Sequence, residues 1–306
     1  HDFLGQIVDQ PLAAVVVERL PEHYPLPALV VPDTLAALGR IGNFWRRRFS
    51  IPVIGVTGSN GKTTVKEMIS AILMAAFGAE GRLATQGNLN NEIGVPLTVT
   101  RLTDAHKAAV VELGMNHPGE IARLAAIAEP TVALVNNAQR EHQEFMHTVE
   151  AVARENGAVL QALPADGVAV FPGDDEYTEL WRGLAGDRQV LTFGLTDECD
   201  VRATYTTTDF GSELKVTSFP RGDDGFVVRL NAAGVHNVRN ALAATACALA
   251  AGVPVDAVVR GLEAFAPVSG RLQRKQAVSG ATVIDDTYNA NPDSVRAAID
   301  VLAQYP

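Results

Sequence analysis

Residues 53–64 read VIGVTGSNGKTT, and this stretch limits the possible fold more than any other in the chain. Its apolar start suits a buried strand. Thr57, Gly58, Ser59, Asn60 and Gly61 then form a small, flexible loop. Lys62, Thr63 and Thr64 open a segment in which Val65, Met68, Ile69, Ile72 and Leu73 recur at helical spacing. A strand that turns through glycines directly into a helix gathers backbone N–H groups and a helix N-terminus around one concavity, which is where phosphate binds. Lys62 is placed to reach the terminal phosphates of ATP or GTP, and the Thr63 hydroxyl to ligate magnesium. The spacing departs from the usual G-x-x-x-x-G-K-T pattern, because Val56 stands where the first glycine belongs and Gly55 sits one residue earlier. The loop implies a nucleotide without saying what the nucleotide is for.

Around the loop, short β-type runs alternate with helical patterns. Strands are predicted at 52–56, 108–114, 131–137, 167–171 and 189–193, with a helix over 148–162 and another after HPGEIARLAAIA begins, Pro118 suiting its first turn. This alternation implies right-handed βαβ units and a mostly parallel sheet. From about 200 to 230 the period changes to two, with glycine-containing turns, as in antiparallel strands. A long Ala-rich helix follows from about 236 to 251, and ATVIDDTYNANPDS gives a strand, a polar loop and a helix from about Pro292. The expected class is α/β: a P-loop domain with a mostly parallel sheet and a small antiparallel sheet.

The chain has 306 residues, enough for more than one domain. Its net charge of −10 argues against nonspecific nucleic-acid binding, which needs many phosphate-neutralising cations. The run Arg46, Arg47, Arg48 reads as a solvated helix end. Cys199 and Cys247 have no metal-ligand spacing, so neither a disulfide framework nor a zinc site is expected, and a reducing, cytoplasmic setting fits. The Ala-rich stretch is broken by Gly252, Pro254 and Asp256, so it reads as two helices and a turn rather than a membrane span. No leader is read at the start, which is His1.

GVTGSNGKTT resembles the Mur ligase superfamily, ATP-dependent enzymes that form amide bonds to carboxylates. So do TQGNLNNEIGVP (85–96), VELGMNHPGEI (111–121), VNNAQREHQEF (135–145), GVHNVRNALAA (234–244), SGRL (269–272) and DDTYNANPDS (285–294), in the family's order. The asparagine-rich segments point within it to the members that join D-alanyl-D-alanine to UDP-N-acetylmuramoyl-tripeptide. The resemblance implies three domains: the end of an N-terminal UDP-substrate domain over 1–49, a central ATP-binding domain over 50–268, and the start of a Rossmann-like C-terminal domain over 269–306. It also implies a monomer that uses ATP and Mg2+ and neither binds nucleic acid nor inserts into a membrane.

The site residues follow from the same resemblance. Glu112 and His142 match magnesium ligands beside Thr63, although alone a strand-end glutamate reads as a capping or surface residue and a loop histidine as a packing one. Asn237 and Asn240 lie three apart at a helix start and match positions that face adenine; Asn237 alone also reads as an N-cap. Arg271 matches an arginine near the γ-phosphate, and Asp286 an aspartate on the ribose. Asn88, Asn90 and Asn91 are expected on the muramoyl-peptide, and Asn289, Asn291 and Ser294 near the dipeptide; all six also suit polar turns. Many family members carry a carbamylated lysine where this chain has Asn156. Its carboxamide is expected to take that group's place at a second magnesium ion, with Glu155 as the alternative. Rival readings are another ligase of the superfamily, such as the third-residue ligase or a folylpolyglutamate synthase, or a P-loop binding module without ligase turnover.

Overall fold

The computed structural model describes residues 3–141, 143–218 and 225–303. The predicted alternation is present. A first small unit holds β1 (Val15–Val17), β2 (Ala28–Val30) and α1 (Thr34–Arg46). Then come β3 (Val53–Thr57), α2 (Lys62–Phe77), β4 (Arg82–Ala84), α3 (Gly94–Val99), β5 (Ala108–Glu112), α4 (Glu120–Ala128) and β6 (Val132–Val135). The chain continues through α5 (Gln143–Met146), α6 (Val149–Gln161), β7 (Val168–Pro172), α7 (Thr178–Ala185) and β8 (Gln189–Gly194). It ends with β9 (Val201–Thr207), β10 (Ser212–Ser218), β11 (Phe226–Leu230), α8 (Val235–Ala250), α9 (Val255–Ala264), β12 (Gln273–Gln276), β13 (Thr282–Asp285) and α10 (Pro292–Ala303).

The central sheet has nine strands in the order β11-β10-β9-β8-β7-β6-β3-β5-β4. Every pairing from β4 to β9 is parallel, and β10 and β11 add antiparallel edges, so the period-two region continues the parallel sheet. A parallel sheet is covered on both faces, so its strands are apolar throughout; β3, β5 and β7 are buried at every residue. Alternate residues feed two cores. Ile54 and Val56 pack with α2, α8 and α9, while Val53 packs on the other face with α3, α4, α6 and α7. The chain leaves β3 toward β4 and returns on β3's other side as β6. The crevice beyond β3 therefore lies at the point where strand order reverses, where α/β sheets bind their ligands.

Helix α9 approaches α2 closely because Gly261 has no side chain; a Cβ there would stand 2.4 Å from Ile72 Cα. Two expectations are corrected. Pro118 is not in a helix's first turn, since Gly119, at φ 85°, precedes a helix that starts at Glu120. Nor is the basic run wholly solvated. Arg46 is buried, and its guanidinium donates to the carbonyls of Phe49, Ala128 and Glu129, closing the C-terminal end of α4. Arg47 pairs with the Glu129 carboxylate. Among the described residues, no helix is long and apolar enough to cross a membrane, and Cys199 and Cys247 are buried and free.

Candidate active site

The loop between β3 and α2 opens on a cavity of about 780 Å³. Two of its glycines are required by geometry. Gly58 has φ 130° and Gly61 φ 79°, conformations costly for other residues. A Cβ on Gly61 would lie 2.6 Å from Asn240 Oδ1, so the loop and α8 meet only through a glycine.

Ser59, Asn60, Gly61, Lys62, Thr63 and Thr64 all line the cavity. Thr57 and Gly58 do not. The Thr57 hydroxyl turns under the loop to Leu134 O at 2.8 Å, and the Gly58 N–H is taken by Asn156 Oδ1 at 2.9 Å. Lys62 folds back along the loop, its Nζ donating to Gly58 O at 2.5 Å and lying 3.6 Å from the Glu141 carboxylate. Its tip stays at the cavity wall, within reach of an anion that enters.

One flank of the loop carries charge. Thr63 Oγ1 donates to Glu112 Oε1 at 3.2 Å and accepts from Arg271 Nη2 at 2.9 Å. Asn90 Nδ2 also donates to Glu112 Oε1, at 2.9 Å. Glu112 Oε2 is buried with no hydrogen-bond partner among the described residues. A buried carboxylate oxygen left in that state is costly unless a donor or cation meets it. Arg271 lies over the Tyr288 ring, 4.2 Å from its centroid. Asp286 Oδ1 accepts from Leu272 N at 3.2 Å, and burial raises its carboxyl above the usual carboxylate range. Among the described residues, no group of three or more His, Cys, Asp or Glu gathers as a metal centre. His142, expected there, lies outside the described residues.

The other flank is made of neutral amides. Asn60 N donates to Asn137 Oδ1 at 2.9 Å, and Asn60 Nδ2 to Gln139 Oε1 at 2.5 Å. Asn136, which the sequence reading passed over, donates to Asn60 O at 2.9 Å and to Asn240 Oδ1 at 3.0 Å. Asn240 donates on to Asn237 Oδ1 at 3.2 Å, and Asn237 to Ala233 O at 2.8 Å. Asn237 sits in the helix proper, after the N-cap Gly234. Next to it, burial lowers the His236 imidazole to about 4, so the ring is neutral at ordinary pH. Further along the wall, Arg239 grips Asp174 through two bonds of 2.7 and 2.8 Å. Burial pushes the Asp174 carboxyl up, but these bonds and the Leu195 N–H outweigh it, and the group ends below its usual range.

The geometry corrects the reading of residue 156. Asn156 is fully buried beneath the loop, its oxygen committed to Gly58, and it does not line the cavity. Glu155 is also engaged elsewhere, accepting from Gly119 N at 2.8 Å and Ile121 N at 2.9 Å at the start of α4. Neither faces a place where a second metal ion would meet ATP.

The remaining expected residues do surround the cavity. Asn88, Asn90 and Asn91 line it, as do Leu35, Ile93 and Glu120. Asn91 Oδ1 accepts from Gly94 N at 2.9 Å and so helps start α3. Asn289, Asn291 and Ser294 line the cavity too. Asn291 donates to Asn60 Oδ1 at 2.8 Å, and its own oxygen accepts from Ser294 N at 2.9 Å. Arg140 and Asp293 form a bidentate pair across the same junction, with bonds of 2.5 and 3.1 Å. The C-terminal segment thus touches the loop and the start of α2 through Arg271 and Asn291, and the chain after β6 through Asp293.

A phosphate-binding loop at the reversal point of a parallel sheet, with an acidic strand end beside it, defines a nucleotide-binding α/β protein. Comparison narrows the class. The family model of the Mur ligase middle domain matches residues 56–248. The chain is 39% identical over 306 residues to the UDP-N-acetylmuramoyl-tripeptide–D-alanyl-D-alanine ligase of Haemophilus influenzae, a match covering 100% of this chain and 66% of that one. A crystal structure of MurF from Acinetobacter baumannii superposes with a TM-score of 0.93 at 39% identity, covering 100% of this chain and 66% of that one. MurF ligase from Thermotoga maritima in complex with ADP gives 0.88 at 27% identity, covering 100% and 69%. This chain belongs to the Mur ligase family. It spans about two thirds of the length of the curated relatives it matches.

Proposed function

We propose that the protein is an ATP-dependent ligase that joins D-alanyl-D-alanine to UDP-N-acetylmuramoyl-tripeptide in peptidoglycan precursor synthesis, in the cytoplasm and as a monomer. One observation carries the reading: a phosphate loop and a buried carboxylate oxygen of Glu112, without a partner among the described residues, meet in one cavity. The relatives' names supply the reaction. In our reading residues 1–49 belong to the UDP-substrate unit, 50–268 to the ATP-binding unit, and 269–306 to a unit that closes over the nucleotide.

The chemistry brings two anions together. A substrate carboxylate oxygen attacks the γ-phosphorus, the bond to ADP breaks, and an acyl phosphate forms. The amine of the dipeptide then attacks the acyl carbon and releases phosphate. Repulsion between the anions must be offset by positive charge fixed in advance. Lys62 and the N–H groups from Gly61 into the first turn of α2 bind the phosphates, since those of Gly58, Ser59 and Asn60 are held by Asn156 and Asn137, and Arg271 adds a second cation from the C-terminal segment. Glu112 and Thr63 fit magnesium, since both offer hard oxygen atoms and one Glu112 oxygen has no partner among the described residues; His142 is the third candidate by family match. Magnesium there would withdraw charge from the transferring phosphoryl group. Asn237 and Asn240 would meet adenine and Asp286 the ribose. Asn88, Asn90 and Asn91 would hold the muramoyl-peptide, and Asn289, Asn291 and Ser294 the dipeptide.

The test is ADP release by the full-length protein with UDP-N-acetylmuramoyl-tripeptide and one amine at a time. Release with D-alanyl-D-alanine, and little with single amino acids or glutamate, is the expected result. Release only with a single amino acid or glutamate would assign another ligase, and nucleotide binding with no amine-dependent turnover would assign a binding module.

A further inference from the structure

The amide flank runs in one direction. Asn60 O and Ala233 O, at its two ends, are backbone carbonyls and can only accept. Between them Asn136 Nδ2 donates to Asn60 O and Asn240 Oδ1, Asn240 Nδ2 to Asn237 Oδ1, and Asn237 Nδ2 to Ala233 O. Each carboxamide is nearly symmetric in shape, so a half-turn about its last bond exchanges donor for acceptor at almost no steric cost. Only the hydrogen-bond partners decide which way it faces. Asn136 fixes Asn240, because both its hydrogens are already directed and Asn240 must answer with oxygen. It is buried, at 4% exposure, in a position where it also borders the cavity.

We infer that Asn136 is a positioning residue for base selection: together with Ala233 O at the far end, it sets the polarity that Asn240 and Asn237 present to the nucleotide. The inference rests on the ligase reading, in which these two residues face the base. With Asn240 oriented by Asn136, the pair keeps one spare amide hydrogen on Asn240 and one spare lone pair on Asn237. Adenine offers the complement, a ring nitrogen that accepts and a 6-amino group that donates. Guanine offers an accepting O6 and a donating N1–H, the reverse order on that edge. Without Asn136, Asn240 is held only from its other side, through Asn237 and Ala233 O, and the pair turns more readily to answer either base. Asn136 Oδ1 is itself buried and without a partner among the described residues, so the donor side of this carboxamide holds it in place.

The test is binding of non-hydrolysable ATP and GTP analogues to the full-length wild type and to Asn136→Asp, which keeps the shape but puts a second acceptor oxygen and a negative charge in place of both donated hydrogens. The wild type is expected to favour the adenine analogue. In the variant that preference should fall about tenfold, the value of one neutral hydrogen bond. Equal weakening of both analogues, with the ratio preserved, would show that Asn136 only braces the loop and would overturn the inference. A wild type that binds both analogues equally would overturn it too, and leave the ligase reading intact. A wild type that binds neither analogue would overturn both. Asn136→Ala is read if Asn136→Asp does not fold: it removes both donated hydrogens without adding charge, and the same loss of preference is expected.

Discussion

The two flanks of the phosphate loop are built from different chemistry. On the α2–β5 side stand Lys62, Glu112, Arg271 and Asp286, with Thr63 between them. On the β6–α8 side stand Asn136, Asn137, Gln139, Asn156, Asn237 and Asn240, all neutral. Both flanks are polar, but charge at the loop is concentrated on the first; on the second the Arg239–Asp174 pair stands further along the wall and Glu141 reaches across to Lys62. Charge is useful where the ligand's own charge changes during reaction, because fixed ions stabilise the new distribution without reorganising. Where a flexible backbone only has to be held, amides satisfy its N–H and C=O groups without adding a field that would disturb the phosphates.

That division can be broken at several points. Lys62→Ala should act on the charged flank alone. ADP release is expected to fall by roughly a thousandfold or more, with the melting temperature nearly unchanged, because the side chain is at the cavity wall and serves transition-state charge. Near-normal turnover by the folded variant would remove Lys62 from the mechanism.

The next break is made by acid on the neutral flank. His236 is held neutral by burial, with its value lowered from 6.5 to about 4. The unfolded chain therefore binds a proton that the folded chain refuses between these values. Stability should be constant above pH 6.5 and fall as pH drops toward 4, by up to about 3 kcal/mol. Urea unfolding at pH 7 and pH 4.5 measures this, and His236→Gln should flatten the slope. An equal slope in the variant would place the acid sensitivity elsewhere.

Asn156→Ala removes the acceptor for the buried Gly58 N–H. A cost of about 2 kcal/mol is expected, read as a lower melting temperature, together with weaker nucleotide binding. Because Asn156 carries no amine, turnover of the wild type should be indifferent to bicarbonate. Bicarbonate stimulation would mean that a carbamate-forming lysine serves the site after all. The smallest effect belongs to the exposed Arg140–Asp293 pair. Asp293→Ala should cost less than about 1 kcal/mol of stability and appear chiefly as a modestly raised KM.

The charged flank was legible in the sequence and most of the neutral flank was not. Lysine and threonine after glycines, and a glutamate at a strand end, carry their chemistry in their type. Asn136, Asn137 and Asn156 act by supporting backbone atoms, and asparagine after a strand or inside a helix reads equally as a turn or a surface residue. The sequence did hold a signal for the first two, since VNNAQ turns polar at once after a strand whose end faces the ligand. Asn156 gave none, because a helix position beneath the loop is set by how α6 crosses the sheet. Arg46 differs for a similar reason: a run of like charges suggests solvent, whereas two of its three carbonyl partners are 82 and 83 residues away in sequence.

The contact between Gly261 and Ile72 makes α2 a lever with its pivot in the core. From Ile72 to Lys62 the helix runs about ten residues, or ~15 Å. Any side chain at position 261 would push on the pivot, and a tilt of roughly 5° would swing the lysine end by ~1 Å, a misplacement that can cost a hundredfold in rate. The precision of the phosphate site is thus set in part by a hydrogen atom on a glycine buried between two helices, at a position that no ligand touches.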